Sequence, residues 1–233
     1  MAMTDTADGV KAQDDAFLVP LLFVLTFVAG TVDAVSILRL GHIFVANMTG
    51  NIVFLGFGLA GATGFSVSAS LVALIAFLAG AGVGARVLRA GGRSETLRRA
   101  ALAEAALAAA ATVVALSTTG TGPSYAITVL LAIAMGTQNA IVPTLAVPDL
   151  ATTTVFTRTL TGLVVDRPDL SSPHSRTRRR AGTVAAIFAG AVVGTLLVIH
   201  ASTGAALGLT TVLLVAVAAA TVRRRTDRSG KEN

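Results

Sequence analysis

A few polar side chains lie inside otherwise apolar stretches of this sequence, and they are the residues that could form a ligand site. Asp33 is the one acidic residue within the first apolar segment, and a polar cluster follows it with Asn47, Thr49, Gly50 and Asn51. Carboxylate, amide and hydroxyl groups inside a membrane bundle commonly bind a solute, an ion or a proton. The alternative for Asp33 is a structural hydrogen bond to a neighbouring segment.

The polar cluster is typical of a helix that starts inside a membrane. Asn or Thr can cap such a helix, and its free backbone N–H groups can point at a ligand. For Asn47 we favour a cap that only satisfies its own backbone, whereas Thr49 and Asn51 lean towards ligand binding. Both interpretations of the cluster stay open at this point.

A second polar set lies in the C-terminal half. Gln138 and Asn139 are inside an apolar segment, and Thr157, Arg158 and Thr159 are inside a Thr-rich one. An Arg at the centre of a lipid-facing helix costs about 2.5–3.5 kcal/mol, so the Thr-rich segment is not an ordinary span. Arg158 could bind an anion, but we favour snorkelling to the interface or a structural ion pair.

No catalytic or metal-binding pattern accompanies these residues. The chain has no Cys, its three His residues are scattered, and the usual nucleophile, zinc-protease, phosphate-loop and dinucleotide motifs are missing from the sequence. We therefore expect no enzyme, no cofactor and no metal. Glu104 follows Arg98 and Arg99 by about one turn, which predicts an ion pair at the membrane interface.

The composition requires most of the surface to face lipid. Hydrophobic residues make up 54% of the 233 residues and charged residues 13%, whereas a soluble domain has about a quarter charged. Segments 43–62 and 150–165 are short or interrupted by polar residues. Six others are apolar and long enough to cross a bilayer: 17–38, 66–85, 100–117, 124–146, 181–200 and 204–222.

Basic residues indicate how these segments are threaded. Nearly all Lys and Arg lie in the two tails and in the stretches 86–99 and 167–180, and loops of this kind stay in the cytoplasm. Eight crossings would put the stretch 86–99 outside. If the two doubtful segments instead enter and leave on one side, every basic patch is cytoplasmic. The net charge of +6 then reflects anchoring to lipid headgroups, and we expect no nucleic-acid partner.

The two halves of the sequence resemble each other at three places in the same order. The matched stretches are 30–34 with 136–140, 48–51 with 156–159, and 79–84 with 189–194. With three crossings in each half, the half at 124–222 is inverted relative to the half at 17–117. Transporters and channels use inverted repeats of this kind with broken or re-entrant helices.

Small residues four positions apart mark one helix of each half: Gly80, Gly84, Gly190 and Gly194. This spacing predicts close helix packing. The fold expected from these patterns is an all-α, polytopic transmembrane bundle. It has six full crossings plus two short interrupted or re-entrant segments in an inverted internal repeat.

Four runs carry a family resemblance: FVAGTVDA at 27–34, FVANMTGN at 44–51, MGTQNA at 135–140 and VPDLATTT at 147–154. Together they resemble the YoaK-like family of small bacterial integral membrane proteins, over about residues 17–222. The resemblance implies a compact six-helix protein of the bacterial inner membrane, and it implies no substrate and no catalytic residue. The chain departs from the family at Arg158, where Gly is usual.

The leading hypothesis is a small transporter or channel whose site is built from the two interrupted segments, with lipid and an unknown small solute or ion as partners. The alternative is a non-transporting scaffold or partner subunit, with a possible homo-oligomer through the Gly-rich helices. We expect one transmembrane domain at 17–222 between cytoplasmic tails at 1–16 and 223–233.

Overall fold

Seven α-helices and no strand form the part of the chain that the structure describes. A computed structural model of the protein describes residues 2–88, 91–117, 124–147, 161 and 173–229. The helices are α1 (Ala2–Arg39), α2 (Met48–Leu59), α3 (Val67–Val83), α4 (Arg93–Ser117), α5 (Tyr125–Ile141), α6 (Pro173–His200) and α7 (Thr203–Ser229). A π-helical turn, Gly84–Leu88, extends α3, and a 3₁₀ turn, Val142–Leu145, extends α5.

The six predicted membrane spans are confirmed as helices long and apolar enough to cross a bilayer. They are Gln13–Arg39, Val67–Arg86, Arg93–Ser117, Tyr125–Leu145, Thr177–His200 and Thr203–Arg224. The doubtful segment 43–62 contains α2, whose 12 residues rise about 18 Å against a hydrocarbon core of about 30 Å. The other doubtful segment, 150–165, lies outside the described residues apart from Thr161.

Large apolar side chains cover the outside of the long helices. Ile75, Leu78, Val113, Phe188 and Ile199 are each more than half exposed. A soluble protein avoids contiguous surfaces of this kind, whereas lipid tails solvate them.

One end of the bundle, which we call the basic end, is tied together by ion pairs. Arg93 of α4 bonds Asp15 of α1 at 2.6 Å, and Arg224 of α7 bonds Asp14 of α1 at 2.7 Å. These contacts hold the part of α1 that precedes the first span, within the stretch 1–16 that the sequence predicted to be the N-terminal tail. The starts of α1 and α4 and the end of α7 therefore lie together.

The opposite end, which we call the distal end, holds the other helix termini. Arg39 Nε of α1 donates to Thr203 Oγ1 of α7 at 3.2 Å, and Ser68 Oγ of α3 lies 2.9 Å from the Tyr125 hydroxyl of α5. α4 starts at the basic end, so it ends at the distal end, and α5 begins there because it follows α4 directly. The contact between Ser68 and Tyr125 then places the start of α3 at the distal end as well. The helices that flank α2 therefore present their neighbouring ends at the same end of the bundle.

Helices of the N-terminal half pack on helices of the C-terminal half. The main pairs are α1 with α6, α3 with α5 and α4 with α7. In the first pair, a Cβ at Gly30 would collide with the Ile187 carbonyl, and a Cβ at Gly190 would collide with the Phe27 carbonyl. Thr31 Oγ1 also donates to the Gly190 carbonyl at 3.1 Å. The two backbones are thus in direct contact, as small residues allow.

The pair α3 and α5 repeats this contact. A Cβ at Gly136 would collide with the Phe77 carbonyl, and a Cβ at Gly80 would collide with the Ile133 carbonyl. Thr137 Oγ1 donates to the Gly80 carbonyl at 3.1 Å, the same distance as in the first pair.

The two contacts use residues that the sequence alignment had matched. Gly30-Thr31 corresponds to Gly136-Thr137, and Gly190 corresponds to Gly80. One turn further along, a Cβ at Gly194 would lie 2.9 Å from the Thr31 Cα, and one at Gly84 would lie 3.2 Å from the Thr137 Cα. The same local packing therefore occurs twice, each time between one helix of either half.

Replacing Gly80 by Ala should lower the stability of the detergent-solubilised protein. The new methyl group would meet the Ile133 backbone, which cannot move aside like a side chain, and overpacking of this kind costs about 1–3 kcal/mol. The measurement is the midpoint of thermal unfolding. Gly56→Ala is the matched control, because a Cβ at Gly56 has open space around it. Equal midpoints for the two variants would contradict the close contact.

Candidate functional site

The interrupted backbone between α1 and α2 is the centre of the candidate site. The chain leaves α1 through two left-handed residues, Gly41 (φ 91°) and His42 (φ 57°). Positive φ is uncommon for a residue with a Cβ, so His42 marks an imposed turn. The non-helical stretch 41–47 then leads into α2, and its backbone N–H and C=O groups need partners from elsewhere.

Asn51 supplies two of these partners. Its Oδ1 accepts from the Phe44 amide at 2.8 Å, and its Nδ2 donates to the Phe44 carbonyl at 2.6 Å. The side chain is fully buried. The side-chain amide of Asn51 therefore pairs with the backbone of Phe44 as a residue of a neighbouring strand would. Its oxygen and its nitrogen are both engaged in this pairing.

Asp33 supplies a third partner, from the side of α1. Its Oδ1 accepts from the Ala46 amide at 3.1 Å, and the side chain is partly buried. Asp33 lies six residues before Arg39, so the interrupted stretch reaches about 9 Å below the end of α1. The structure thus shows the structural hydrogen bond that was one of the two interpretations of Asp33.

Gly50 makes room for an aromatic ring. A Cβ at Gly50 would lie 2.5 Å from the ring of Phe44. That ring stacks on Phe54 of α2 with centroids 5.6 Å apart, and Phe54 in turn packs against Phe65. In this arrangement Gly50 lets the interrupted stretch lie against α2.

Asn47 and Thr49 have no such role. Asn47 occupies the N-cap position of α2, but its side chain makes no capping hydrogen bond, so the cap expected there is absent. Asn51 explains the difference, because it already fixes the stretch through Phe44. Thr49 is exposed, and Asn47 is half-buried.

Gln138 and Asn139 lie on α5. Gln138 is only 3% exposed, and its Nε2 donates to the Leu25 carbonyl of α1 at 3.4 Å. Asn139 Nδ2 donates to the Met135 carbonyl of its own helix at 2.9 Å. The predicted site residues Thr157, Arg158 and Thr159 lie outside the residues that the structure describes.

The predicted site residues fall into two groups rather than one. Asp33, Gly50 and Asn51 surround the interrupted stretch near the distal end. Gln138 reaches α1 at Leu25, eight residues before Asp33, which is about 12 Å along the helix. The structure therefore does not join Asp33 and Gln138 into the single polar site that the sequence suggested.

Glu104 differs from its expected place at the interface. Arg98 and Arg99 both bond Glu95, at 2.6 and 2.8 Å, so the ion pair predicted for Glu104 is wrong. Glu104 is instead 1% exposed inside the bundle. The sequence could have indicated this burial. Glu104 lies seven residues from both Leu97 and Ala111, so it shares a helix face with these two buried apolar residues.

A cavity with charged side chains in its lining, which the sequence did not indicate, lies at the basic end. Its volume is about 710 Å³, and its lining includes Asp14, Arg93, Glu95, Arg98 and Arg224. These basic side chains are engaged in ion pairs with Asp14, Asp15 and Glu95. The cavity is separate from the interrupted stretch, which lies at the distal end.

Comparison with known proteins identifies the family. Residues 21–220 match the family described as "Protein of unknown function (DUF1275)". The chain belongs to this family. The UPF0700 transmembrane protein YoaK of Bacillus subtilis (strain 168) is 34% identical over 150 residues, which cover 63% of this chain and 65% of YoaK. The match thus spans just under two thirds of that curated relative's length.

No solved structure matches the chain. The YoaK-like resemblance of the sequence is confirmed by the family match and by YoaK itself. Together with the six long apolar helices, it shows that the chain is a transmembrane protein.

Asn51→Ala should loosen the interrupted stretch. The variant leaves the Phe44 amide and carbonyl without their partners, which costs about 1–3 kcal/mol per buried group. Hydrogen exchange of the peptide that contains residues 41–47 should speed up about tenfold for each 1.4 kcal/mol lost. Thr49→Ala, two residues away and exposed, should leave the exchange rate unchanged. An unchanged rate in Asn51→Ala would rule out this support.

Proposed function

We propose that the chain is a small transporter or channel, with a polar site at the interface of two inverted repeats and an unknown solute as substrate. The observation that carries the proposal is the interrupted backbone held by Asp33 and Asn51 inside the bundle. Non-helical backbone at membrane depth is tolerated only where it is buried in protein or lines a watery cavity. Such elements recur at the binding sites of transporters.

The repeated Gly–Thr contact supports the inverted arrangement. Gly30 and Thr31 lie on α1, which runs from the basic end to the distal end. Their counterparts Gly136 and Thr137 lie on α5, which begins at the distal end. Equivalent helices thus run in opposite directions, and α2 is the re-entrant element of the first half in this proposal.

The proposed ligand-facing groups are polar side chains that the fold does not use for its own hydrogen bonds. Asn47 and Thr49 at the start of α2 are the candidates in the first half. Asp33 and Asn51 act as positioning residues for the stretch that presents them. In the second half, Gln138 remains a candidate, because its Oε1 has no partner among the described residues, together with Thr157, Arg158 and Thr159. Asn139 is hydrogen-bonded to its own helix.

The proposed location is the bacterial inner membrane with both termini in the cytoplasm. The support is the distribution of Arg residues. Arg86, Arg93, Arg98 and Arg224 all lie at or near the basic end, whereas the distal end has Arg39 among the described residues. Basic loops are retained on the cytoplasmic side.

A non-transporting scaffold or partner subunit is the second candidate function. The observation that favours it is that Asp33 and Asn51 are both engaged with the protein's own backbone. In that case the interrupted stretch serves the fold alone. Neither proposal involves catalysis.

Flux measurements on reconstituted vesicles distinguish these two functions. Uncharged solutes such as glycerol and urea are followed by light scattering, and charged ones such as an amino acid, a carboxylate and K⁺ by currents on a supported membrane. We expect the protein to accelerate the entry of at least one solute over empty vesicles. Correctly folded protein that moves none of them would favour the scaffold.

Asp33 variants then test the positioning role on the solute that is moved. Asp33→Ala removes the acceptor of the Ala46 amide and should abolish the flux while the protein still inserts. Asp33→Asn should keep flux, because its amide oxygen accepts the same hydrogen bond. Normal flux in Asp33→Ala would contradict any role of Asp33, and loss of flux in Asp33→Asn would show that the charge itself is used.

A further inference from the structure

Three polar groups lie in one layer in the middle of the bundle. Glu104 follows Arg93 by 11 residues, and Leu25 follows Asp15 by 10 residues. Since the 2.6 Å ion pair joins Arg93 to Asp15, Glu104 and Leu25 both lie about 15–17 Å from the basic end. The hydrogen bond from Gln138 to the Leu25 carbonyl places Gln138 in the same layer.

The register of α4 and α5 agrees with this placement. Glu104 lies 13 residues before Ser117 at the end of α4, and Gln138 lies 13 residues after Tyr125 at the start of α5. The two helices are adjacent, antiparallel and joined by a short connection. A depth of about 15 Å is half of a hydrocarbon core of about 30 Å.

Both side chains offer an oxygen atom that nothing in the described part of the chain satisfies. Glu104 Oε2 and Gln138 Oε1 are buried and have no hydrogen-bond partner there. Buried polar side chains almost always have a partner, so each exception needs a reason. Two acceptors without a donor in one layer point to a missing proton or cation.

Charged groups on the neighbouring helices do not face this layer. Among the described residues, the one titratable group of α5 is Tyr125 at the distal end, and the charges of α7 begin only at Arg223, at the basic end. On α1 the charges are near the two helix ends: Asp5, Asp8, Lys11, Asp14 and Asp15 before the first span, and Asp33 and Arg39 towards its end. Arg86 is exposed in the π-helical turn, and Arg98 and Arg99 bond Glu95.

We propose that Glu104 and Gln138 form a proton-binding site in the middle of the bundle. A carboxylate without a counter-charge in this layer would carry a large desolvation cost, which taking up one proton removes. The protonated carboxyl supplies an O–H donor, which is the group that Gln138 Oε1 lacks. Intramembrane carboxyls that exchange a proton in this way serve proton relays in pumps and transporters.

Infrared spectroscopy of the purified protein tests the proton directly. At neutral pH the wild type should show the C=O band of a protonated carboxyl, and labelling with ¹³C-glutamate should shift that band, which assigns it to glutamate. The chain has glutamate at only three positions, so two variants suffice to assign the band to one residue of the bundle. Glu104→Gln, which keeps the side-chain shape, should lose the band, whereas Glu95→Gln should keep it. Gln138→Leu should move the band to higher frequency, because the carboxyl loses its acceptor. Absence of a glutamic acid band in the wild type would overturn the proposal.

Dicyclohexylcarbodiimide gives a second measurement that needs no variant to fold. This apolar reagent enters the membrane and adds to a protonated carboxyl, and the product keeps all atoms of both partners as an N-acylurea. Mass spectrometry should find the adduct on Glu104. A Glu104 that stays unmodified at neutral pH would overturn the proposal.

The use of this proton in transport rests on the proposed function. If Glu104 carries the proton and vesicles show solute-linked proton movement that Glu104→Gln lacks, both ideas are supported. If the infrared band is present but no solute moves, the transporter proposal fails and the proton site stands.

Discussion

Direct backbone contact at glycine, closed by a threonine hydroxyl, is the interaction on which the rest of the bundle depends. Lipid tails are as apolar as leucine, so helices in a membrane gain little from burying apolar side chains and must associate through close packing and hydrogen bonds. Thr31 with Gly190, and Thr137 with Gly80, provide both at equivalent places. Because each contact joins one half of the chain to the other, neither half can take up its packing alone.

This frame lets the protein keep irregular and polar elements inside. The stretch 41–47 departs from helical geometry, and every such backbone group needs a partner when water is excluded. Asp33 reaches it from α1 and Asn51 from α2, so the break is held from both sides. Glu104 and Gln138 lie deeper and form a different kind of polar element, since each has a buried oxygen without a hydrogen-bond partner among the described residues. The polar residues that hold the backbone and the polar residues with unsatisfied oxygens thus lie at different depths of the bundle.

Much of the architecture could be predicted because the hydropathy of a segment and the charge of a loop can be read from local sequence alone. The six spans follow from the length of apolar runs. The matched stretches contain the residues of both close contacts, in which 30–34 packs on 189–194 and 136–140 packs on 79–84. What could not be predicted is which polar side chain finds which partner. Asn51 forms hydrogen bonds with Phe44, and Arg98 and Arg99 pair with Glu95 and not with Glu104. Which partner a side chain reaches depends on the rotation of each helix about its axis, to within a fraction of a turn.

The account's central claim is that the two halves cross the membrane in opposite directions, and cysteine labelling tests it most directly. The chain has no Cys, so single cysteines at Ser94, Thr118 and Asp149 report without background. Intact cells are treated with a membrane-impermeant thiol reagent. The account predicts that only the cysteine at position 118 is labelled. Labelling at positions 94 and 149 with protection at 118 would mean that both interrupted segments cross, and the halves would then run in parallel.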